Sequence, residues 1–190
     1  GGVCITSLGD GAANQGQVYE SYNMAALWKL PIVYVIENNH YGMGTSVERS
    51  SAGPNYYGRG QGWGIPGEQA DGMELLEVRK AAKRAVTHAR SGKGPYILEL
   101  DTYRYRGHSL SDPAKYRSKE EVEKVKVERD PIDHFRIYMT KTLKIPEDKI
   151  KKIEDEIKVI VLEAVEFSKT SPEPDPSELY TDILKEGSAV

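Results

Sequence analysis

Two apolar segments, each followed at once by polar residues, most constrain how this chain can fold. The first runs from Val3 to Leu8 and ends in Gly9-Asp10-Gly11, and the second runs from Ile32 to Ile36 and ends in Glu37-Asn38-Asn39. Apolar residues at helical spacing lie between them, which predicts a strand-helix-strand unit with parallel strands. The helical positions are Val18, Tyr22, Ala25 and Ala26. Because parallel neighbours end at the same edge of a sheet, the two polar clusters are expected to meet there.

The residue types at this edge suit a divalent metal and an anion. A carboxylate from Asp10, an amide oxygen from Asn39 and nearby backbone carbonyls are oxygen ligands that Mg²⁺ prefers. Glycines allow backbone N–H groups to approach an anion, and the following helix presents free N–H groups at its start. Either cluster alone is an ordinary turn or loop. Together they indicate a diphosphate held through a metal ion.

Three segments carry a family resemblance. Residues 9–31 (GDGAANQGQVYESYNMAALWKLP), 37–50 (ENNHYGMGTSVERS) and 102–117 (TYRYRGHSLSDPAKYR) resemble the alpha subunits of the decarboxylating component of the pyruvate dehydrogenase complex. The Gly-Asp-Gly and Asn-Asn pair, separated by residues 12–37, is similar to the thiamin-diphosphate motif. The resemblance covers the whole chain and is strongest over residues 8–118. It implies oxidative decarboxylation of pyruvate with thiamin diphosphate and Mg²⁺ as cofactors.

The resemblance also implies roles for single residues. Asp10 and the side chain of Asn39 would bind Mg²⁺, together with the backbone carbonyl of Tyr41. Gly11 and Ala12 would bind diphosphate oxygens through their backbone.

A second polar cluster follows the third predicted strand, Tyr96 to Leu100. It contains His108 with three arginines nearby, a combination suited to a phosphate and an anionic substrate. These arginines are Arg104, Arg106 and Arg117. The resemblance implies that His108 lies beside the cofactor diphosphate as a catalytic residue. The other three histidines, His40, His88 and His134, receive no functional role.

The predicted fold class is α/β. We expect part of a thiamin-diphosphate-binding fold, with a parallel sheet flanked by helices over residues 1–129 and a helical C-terminal extension over residues 130–190. Only three core strands are predicted, and the Gly-rich residues 40–72 are expected to form a packed, irregular and functional connection. Since a parallel sheet usually has more strands, we expect the chain to be the C-terminal part of a longer subunit.

Helix signals follow the Gly-rich segment. Asp71 and Glu74 resemble a capping box for a helix ending at Gly92, with a stripe of apolar residues on one face. That stripe comprises Leu75, Val78, Ala82, Ala85 and Ala89. Ser118 and Asp130 predict the starts of two further helices. A long amphipathic helix from Ile150 to Phe167 and a short one from Ser177 to Leu184 complete the chain, the former with an apolar packing face.

Composition excludes some classes of function. The 190 residues carry a net charge of −3 without a basic stripe, which argues against nucleic acid as a partner. Neither a membrane-spanning segment nor a signal peptide is recognised. The single Cys4 fits a reducing compartment or a buried apolar position. The expected location is cytoplasmic for a bacterial protein, which is favoured, or the mitochondrial matrix for a eukaryotic one.

The resemblance implies partners that this chain does not contain. It predicts an α2β2 heterotetramer with a beta subunit that supplies the activating glutamate, and docking on a lipoyl-bearing acyltransferase. The chain alone is therefore expected to be inactive.

Two regulatory serines are implied, Ser109 and Ser46, which match serines phosphorylated in mitochondrial relatives. A third such serine is missing, because Lys115 directly precedes Tyr116, and this favours a bacterial enzyme in which Ser109 is only a loop hydrogen-bonding residue.

The sequence leaves alternative substrates and alternative protein classes open. Arg106-Gly107-His108-Ser109 and Ser111-Asp112-Pro113 resemble the corresponding segments of the pyruvate enzymes, which implies pyruvate as the substrate. Related alpha subunits that act on branched-chain 2-oxo acids or acetoin are the nearest alternatives. A dinucleotide-binding oxidoreductase is disfavoured because Asn14 stands where the Gly-rich fingerprint needs glycine or alanine. A non-catalytic assembly module is the remaining alternative, and the presence of Asp10, Asn39 and His108 argues against it.

Overall fold

The computed structural model describes residues 1–53 and 55–181. The chain forms two compact units, Gly1–Tyr138 and Met139–Val190. No helix within the described ranges is both long and apolar enough to cross a membrane. The predicted α/β class with a parallel sheet flanked by helices is confirmed.

The first unit is built on a four-stranded parallel sheet in the order β1-β2-β6-β5. Its strands are β1 (Cys4–Gly9), β2 (Ile32–Asn38), β5 (Gly67–Asp71) and β6 (Tyr96–Asp101), while β3 (Tyr41–Gly42) and β4 (Thr45–Ser46) form a separate antiparallel pair. The helices of this unit are α1 (Gly16–Leu27), α2 (Val47–Ser50), α3 (Leu75–Arg90), α4 (Lys119–Arg129) and α5 (Pro131–Ile137). Two 3₁₀ helices, Ala12–Asn14 and Tyr57–Trp63, lie in the loops.

Alternate residues of the two central strands form two core layers. Tyr34 and Ile36 of β2 pack in one layer with Tyr22 of α1, and Val33 packs in the other with the alanines of α3. This alternation follows from the two-residue period of a strand buried on both faces. The strand predicted at Ile32–Ile36 is confirmed, and it is one of the two central strands of the sheet.

The strand β5 was not predicted from the sequence. Its residues, GEQAD, include no apolar run, and it pairs with β6 at the edge of the sheet. The prediction that residues 40–72 are irregular throughout is wrong for this reason and because the hairpin β3–β4 lies among them.

Two local predictions near α3 are also wrong. Asp71 ends β5 and accepts a hydrogen bond from the backbone N–H of Met73, so it does not cap α3, which begins at Leu75 without a side-chain cap. Leu75 is exposed, and the buried line of α3 consists of Ala81, Ala85 and Ala89. The small side chains bring this helix close to the sheet.

Cys4 is exposed, contrary to the buried position considered for it. It begins β1, which lies at one edge of the sheet, and the neighbouring Ile5 is 62% exposed. An apolar strand sequence therefore does not by itself guarantee burial of every residue.

The predicted helix starts at Ser118 and Asp130 are confirmed. The Ser118 hydroxyl accepts a bond from the Glu121 N–H, and the Asp130 carboxylate accepts bonds from the N–H groups of Ile132 and Asp133. A π-helical turn, Tyr138–Thr142, follows α5.

The second unit contains α6 (Glu147–Thr170) and a 3₁₀ helix, Pro176–Tyr180. The predicted long helix is confirmed, with Ile150 buried and Ile153, Ile157 and Ile160 exposed. Its role as a packing face stays a prediction. Residues 182–184 of the predicted last helix lie outside the described residues.

Candidate functional site at the carboxyl edge of the sheet

The structure brings the two predicted polar clusters together. Gly9 at the end of β1 is paired with Glu37 of β2, so the residues that follow each strand emerge side by side. One oxygen of Asp10, Oδ1, accepts a hydrogen bond from the backbone N–H of Asn39 at 3.4 Å. Asp10 is only 2% exposed. Parallel pairing has thus placed a buried carboxylate against the second cluster.

The other carboxylate oxygen of Asp10, Oδ2, is buried and has no hydrogen-bond partner among the described residues. A buried oxygen of this kind is rare in a native protein, because desolvation is costly without compensation. A cation or a donor from a ligand would satisfy it. The unpartnered carboxylate oxygen of Asp10 is therefore suited to bind a metal ion.

Two glycines allow the clusters to approach each other. A Cβ atom on Gly42 would lie 3.2 Å from the Cα atom of Gly11, and the reverse contact has the same length. The β3–β4 hairpin that contains Gly42 is thereby packed directly against the turn after β1. A side chain at either position would require the turn and the hairpin to move apart by a few tenths of an ångström.

The oxygens of Asn39 and Tyr41 face a common cationic group. One guanidinium nitrogen of Arg104, Nη1, donates to Asn39 Oδ1 at 3.4 Å and to the Tyr41 carbonyl at 3.2 Å, while Nη2 donates to the Met43 carbonyl at 2.7 Å. Oxygens that converge on a positive group are also suited to a metal cation. The described residues contain no cluster of three or more His, Cys, Asp or Glu side chains that could hold a metal ion.

The predicted diphosphate-binding residues lie on the turn between β1 and α1. Gly11 and Ala12 are exposed, and Ala12 begins the 3₁₀ turn Ala12–Asn14 that precedes α1. Their accessibility is compatible with backbone contacts to an anion, and that role stays a prediction.

His108 lies on the loop after β6 and is exposed. Its backbone N–H donates to Asp112 Oδ2 at 2.7 Å, and the Asp112 carboxylate also accepts bonds from the Ala114 N–H and the Tyr116 hydroxyl. These bonds, led by that from His108, hold the pKa of Asp112 below its ordinary value. Asp112 therefore organises the loop that carries His108.

Arg117 fixes the other side of this loop. Its guanidinium donates to the backbone carbonyls of Arg104 and Arg106. Arg104 and Arg117, two of the three arginines predicted for this cluster, therefore hold backbone carbonyls in place. Both belong to the loop that carries His108.

The two serines implied as regulatory occupy different settings. Ser109 Oγ lies 3.0 Å from Ser111 Oγ in the exposed loop, whereas Ser46 ends the β3–β4 hairpin and precedes α2. A regulatory role for either residue stays a prediction.

Sequence reasoning missed His40. This residue adopts a left-handed backbone conformation, with φ of 68°, and its Nε2 lies 2.6 Å from Asp101 Oδ1 at the end of β6. The hydrogen bond with Asp101 raises the pKa of His40, and it lowers the pKa of Asp101. The contact with Asp101 therefore holds the backbone between Asn39 and Tyr41 in place. The sequence does not show this role, because Asp101 lies 61 positions away along the chain.

A buried polar network under the site was also missed. Glu99 is 0% exposed and accepts hydrogen bonds from Asn38 Nδ2 at 2.8 Å and from the Tyr57 N–H at 3.0 Å. Asn38 Oδ1 in turn accepts a bond from the His40 N–H at 3.1 Å. A glutamate inside the apolar strand sequence YILEL was the available signal.

At one edge of its sheet this α/β protein has a buried carboxylate, a second cluster of oxygens and an exposed glycine turn, and such an arrangement is typical of proteins that bind an anionic cofactor. The chain belongs to the dehydrogenase E1 component family, whose model matches residues 1–177. Membership in this family implies thiamin diphosphate as the cofactor.

The chain is similar to curated bacterial proteins named pyruvate dehydrogenase E1 component subunit alpha. The protein from Rhizobium meliloti (strain 1021) is 58% identical over 182 residues, which are 96% of this chain and 52% of that protein. The protein from Rickettsia felis is 56% identical over 181 residues, covering 95% of this chain and 55% of its own length.

A human relative is similar over almost the whole chain. The testis-specific, mitochondrial form of pyruvate dehydrogenase E1 component subunit alpha is 49% identical over 188 residues, or 98% of this chain and 48% of that protein. The chain spans about half the length of these curated relatives. The predicted family is confirmed, and neither a dinucleotide-binding oxidoreductase nor a non-catalytic module is favoured.

Proposed function

We propose that this chain supplies the metal-diphosphate half of the cofactor site in the alpha subunit of a pyruvate dehydrogenase. The complete enzyme would decarboxylate pyruvate oxidatively and transfer the acyl group to the lipoyl group of an acyltransferase. The observation that carries this proposal is the buried, unpartnered Asp10 Oδ2 beside Asn39. The names of the relatives support pyruvate over branched-chain 2-oxo acids and acetoin.

In this proposal Asp10, Asn39 and the carbonyl of Tyr41 bind Mg²⁺. Thiamin diphosphate supplies the electron sink that accepts the electrons released with carbon dioxide. The Asp10 carboxylate, the Asn39 amide oxygen and the Tyr41 carbonyl would hold the metal in the position from which it orients the diphosphate. Because only Asp10 is charged, the bound metal would keep a net positive charge that attracts diphosphate. The backbone of Gly11 and Ala12 would bind diphosphate oxygens.

The loop after β6 would cover this half of the site. Asp112 and Arg117 hold the loop backbone, and we propose that His108 is thereby presented beside the diphosphate. The cationic Arg104 lies against the same oxygens as the proposed metal and would add attraction for an anion. Ser109 is proposed as a loop hydrogen-bonding residue, which its contact with Ser111 supports.

The remaining cofactor contacts would come from elsewhere in the assembly. We propose that the activating glutamate belongs to a beta subunit in an α2β2 heterotetramer, and that this chain alone is inactive. The bacterial relatives support a cytoplasmic location.

The direct test is calorimetric binding of thiamin diphosphate with Mg²⁺ to the complete alpha subunit co-expressed with its beta partner. We expect metal-dependent binding in the wild type and its loss in Asp10→Ala, while Asp155→Ala on the exposed surface of α6 retains binding. Decarboxylation rates with pyruvate and with a branched-chain 2-oxo acid then assign the substrate. A wild-type assembly that binds no thiamin diphosphate would refute the proposal.

A further inference from the structure

Arg59 makes four hydrogen bonds at and beside the turn that follows β1. It lies in the 3₁₀ segment Tyr57–Trp63, on the Gly-rich connection after the β3–β4 hairpin. Its guanidinium donates to Asn14 Oδ1 at 2.7 Å, Tyr19 Oη at 2.9 Å, the Gly53 carbonyl at 3.3 Å and the Ala13 carbonyl at 3.4 Å. The guanidinium carbon lies 3.9 Å from the centre of the Tyr56 ring. One cation therefore joins the turn to a segment 45 residues later.

The contact with Arg59 fixes the orientation of the Asn14 amide. A guanidinium only donates hydrogen bonds, so the amide oxygen must face Arg59 and the amide nitrogen must face away from it. That nitrogen, Nδ2, donates to Ser51 Oγ at 3.0 Å and to the Asp10 carbonyl at 3.4 Å. Through Asn14, the position of Arg59 is transmitted to the backbone of Asp10.

The backbone of Asp10 determines where its carboxylate points. This side chain is buried, and its Oδ2 is the oxygen without a partner among the described residues. A rotation of the 3₁₀ turn would move both Asp10 and the exposed N–H groups at Gly11 and Ala12. The turn therefore needs an external support that does not occupy the ligand side of the site.

We infer that Arg59, acting through Asn14, is a positioning residue for the turn that binds the metal-linked diphosphate. This inference rests on the proposed function and extends it to residues outside the ligand set. Lysine is a poor substitute, because it lacks the second nitrogen, Nη2, that donates to the Gly53 carbonyl and the planar group that lies over the Tyr56 ring.

The Gly-rich segment has attachments that do not depend on Arg59. The Tyr57 N–H donates to the buried Glu99. Tyr56 is 0% exposed, and its hydroxyl oxygen lies 2.8 Å from Ser51 Oγ. A Cβ atom on Gly60 would lie 2.6 Å from Ile97 Cδ1, which shows how closely this segment packs on β6. Loss of the guanidinium should therefore loosen the turn while the segment stays packed.

The test uses the complete alpha subunit co-expressed with its beta partner, in wild-type form and as Arg59→Met, Arg59→Lys, Asn14→Ala and the double variant Arg59→Met with Asn14→Ala. Arg84→Met is the matched control, because Arg84 pairs with Glu68 on the surface, away from the turn. The dissociation constant of thiamin diphosphate with Mg²⁺ is measured for each, together with kcat at saturating cofactor, KM for pyruvate and the melting temperature.

We expect each single variant at Arg59 or Asn14 to raise the dissociation constant roughly tenfold or more, as for the loss of a hydrogen bond to a charged group. The double variant should resemble the single ones, because residues in one network are coupled. Saturating cofactor should restore kcat, and the KM for pyruvate should not change. Arg84→Met should match the wild type.

Folded Arg59 variants with wild-type cofactor affinity would overturn the inference, as would multiplicative losses in the double variant. If Arg59→Met does not fold, the dissociation constants of Arg59→Lys and of Asn14→Ala, which changes an exposed residue, are compared with the wild-type value instead. Failure of the wild-type assembly to bind cofactor would instead overturn the proposed function, and the two failures are therefore distinguishable.

Discussion

Asp10 Oδ1 and the backbone N–H of Asn39 are joined by a 3.4 Å hydrogen bond across 29 positions of the sequence. At this length the bond is weak, so the pairing of β1 with β2, rather than this contact, holds the two residues together. The carboxylate is kept buried although Oδ2 has no partner among the described residues. Such an arrangement is typical of a ligand-binding position maintained at the expense of stability.

Asp10→Asn should therefore stabilise the metal-free protein while it weakens metal-dependent cofactor binding. The amide introduced at position 10 would still leave one buried polar group without a partner, but burying a neutral group costs less than burying a charged one. The free energy of unfolding should therefore rise by about 1 kcal/mol. Thermal denaturation in a chelator, and again with Mg²⁺ and thiamin diphosphate, measures both effects. A lower melting temperature for Asp10→Asn in the chelator would contradict this prediction.

Glu99→Gln should destabilise the first unit. Asn38 and Tyr57 donate to different oxygens of the carboxyl group, and because glutamine has one oxygen only, one of these two donors would lose its acceptor. Leaving a buried donor unsatisfied should lower the free energy of unfolding by about 1–3 kcal/mol. Urea denaturation measures the change, with Glu20→Gln on the exposed surface of α1 as the control. Equal midpoints for the two variants would show that the network contributes little.

Gly67→Ala should be severely destabilising. A Cβ atom there would lie 2.2 Å from the Tyr57 carbonyl oxygen and 3.0 Å from the Ile97 carbonyl oxygen, which are backbone atoms with little freedom to move. We expect a loss of at least about 2 kcal/mol. At Gly16, which begins α1, a Cβ atom meets nothing within 4 Å, so Gly16→Ala should change stability by less than about 1 kcal/mol. Chemical denaturation of both variants gives the comparison.

His134 should make stability depend on pH. Its Nδ1 lies 2.9 Å from Glu74 Oε1, and this hydrogen bond raises the pKa of His134 above its ordinary value of 6.5. A raised pKa in the folded state means that the contribution is fully present below the ordinary pKa and is lost as the pH rises through the raised value. Wild type should therefore melt above His134→Gln at about pH 6, and the difference should shrink at about pH 8.5. A difference that does not change with pH would exclude this linkage.

The sequence was sufficient to predict features that depend on local pattern. The buried strand β2, the helix starts at Ser118 and Asp130, and the meeting of Asp10 with Asn39 follow from apolar periodicity, capping chemistry and the geometry of parallel strands. These features need no knowledge of distant contacts. The roles of the site residues toward cofactor and metal stay predictions.

The features that sequence reasoning missed depend on residues far apart in the chain. The edge strand β5 has no apolar run, because it forms by pairing with β6. Arg59 gains its position only from oxygens on the turn near Asn14, and His40 from Asp101. In the same way, Asp71 ends β5, a strand without the apolar pattern by which strands are predicted. The sequence therefore wrongly predicts Asp71 as a helix cap.

The register between β1 and β2 also determines which changes in chain length the site can tolerate. The ladder runs from Cys4 with Ile32 to Gly9 with Glu37, and the connection at residues 28–31 joins α1 to β2 at the opposite end of the strands from Asp10. Residues inserted in that connection would lengthen the loop at the amino-terminal ends of these strands and leave the spacing between Asp10 and Asn39 intact. A single residue inserted within β2 would instead shift Asn39 along the ladder. The number of residues between the two halves of the motif can thus change at this connection without changing the register that brings Asp10 to Asn39, provided that the strands keep their length and the bonds of Leu30 to α1 and Pro31 to β1 are kept.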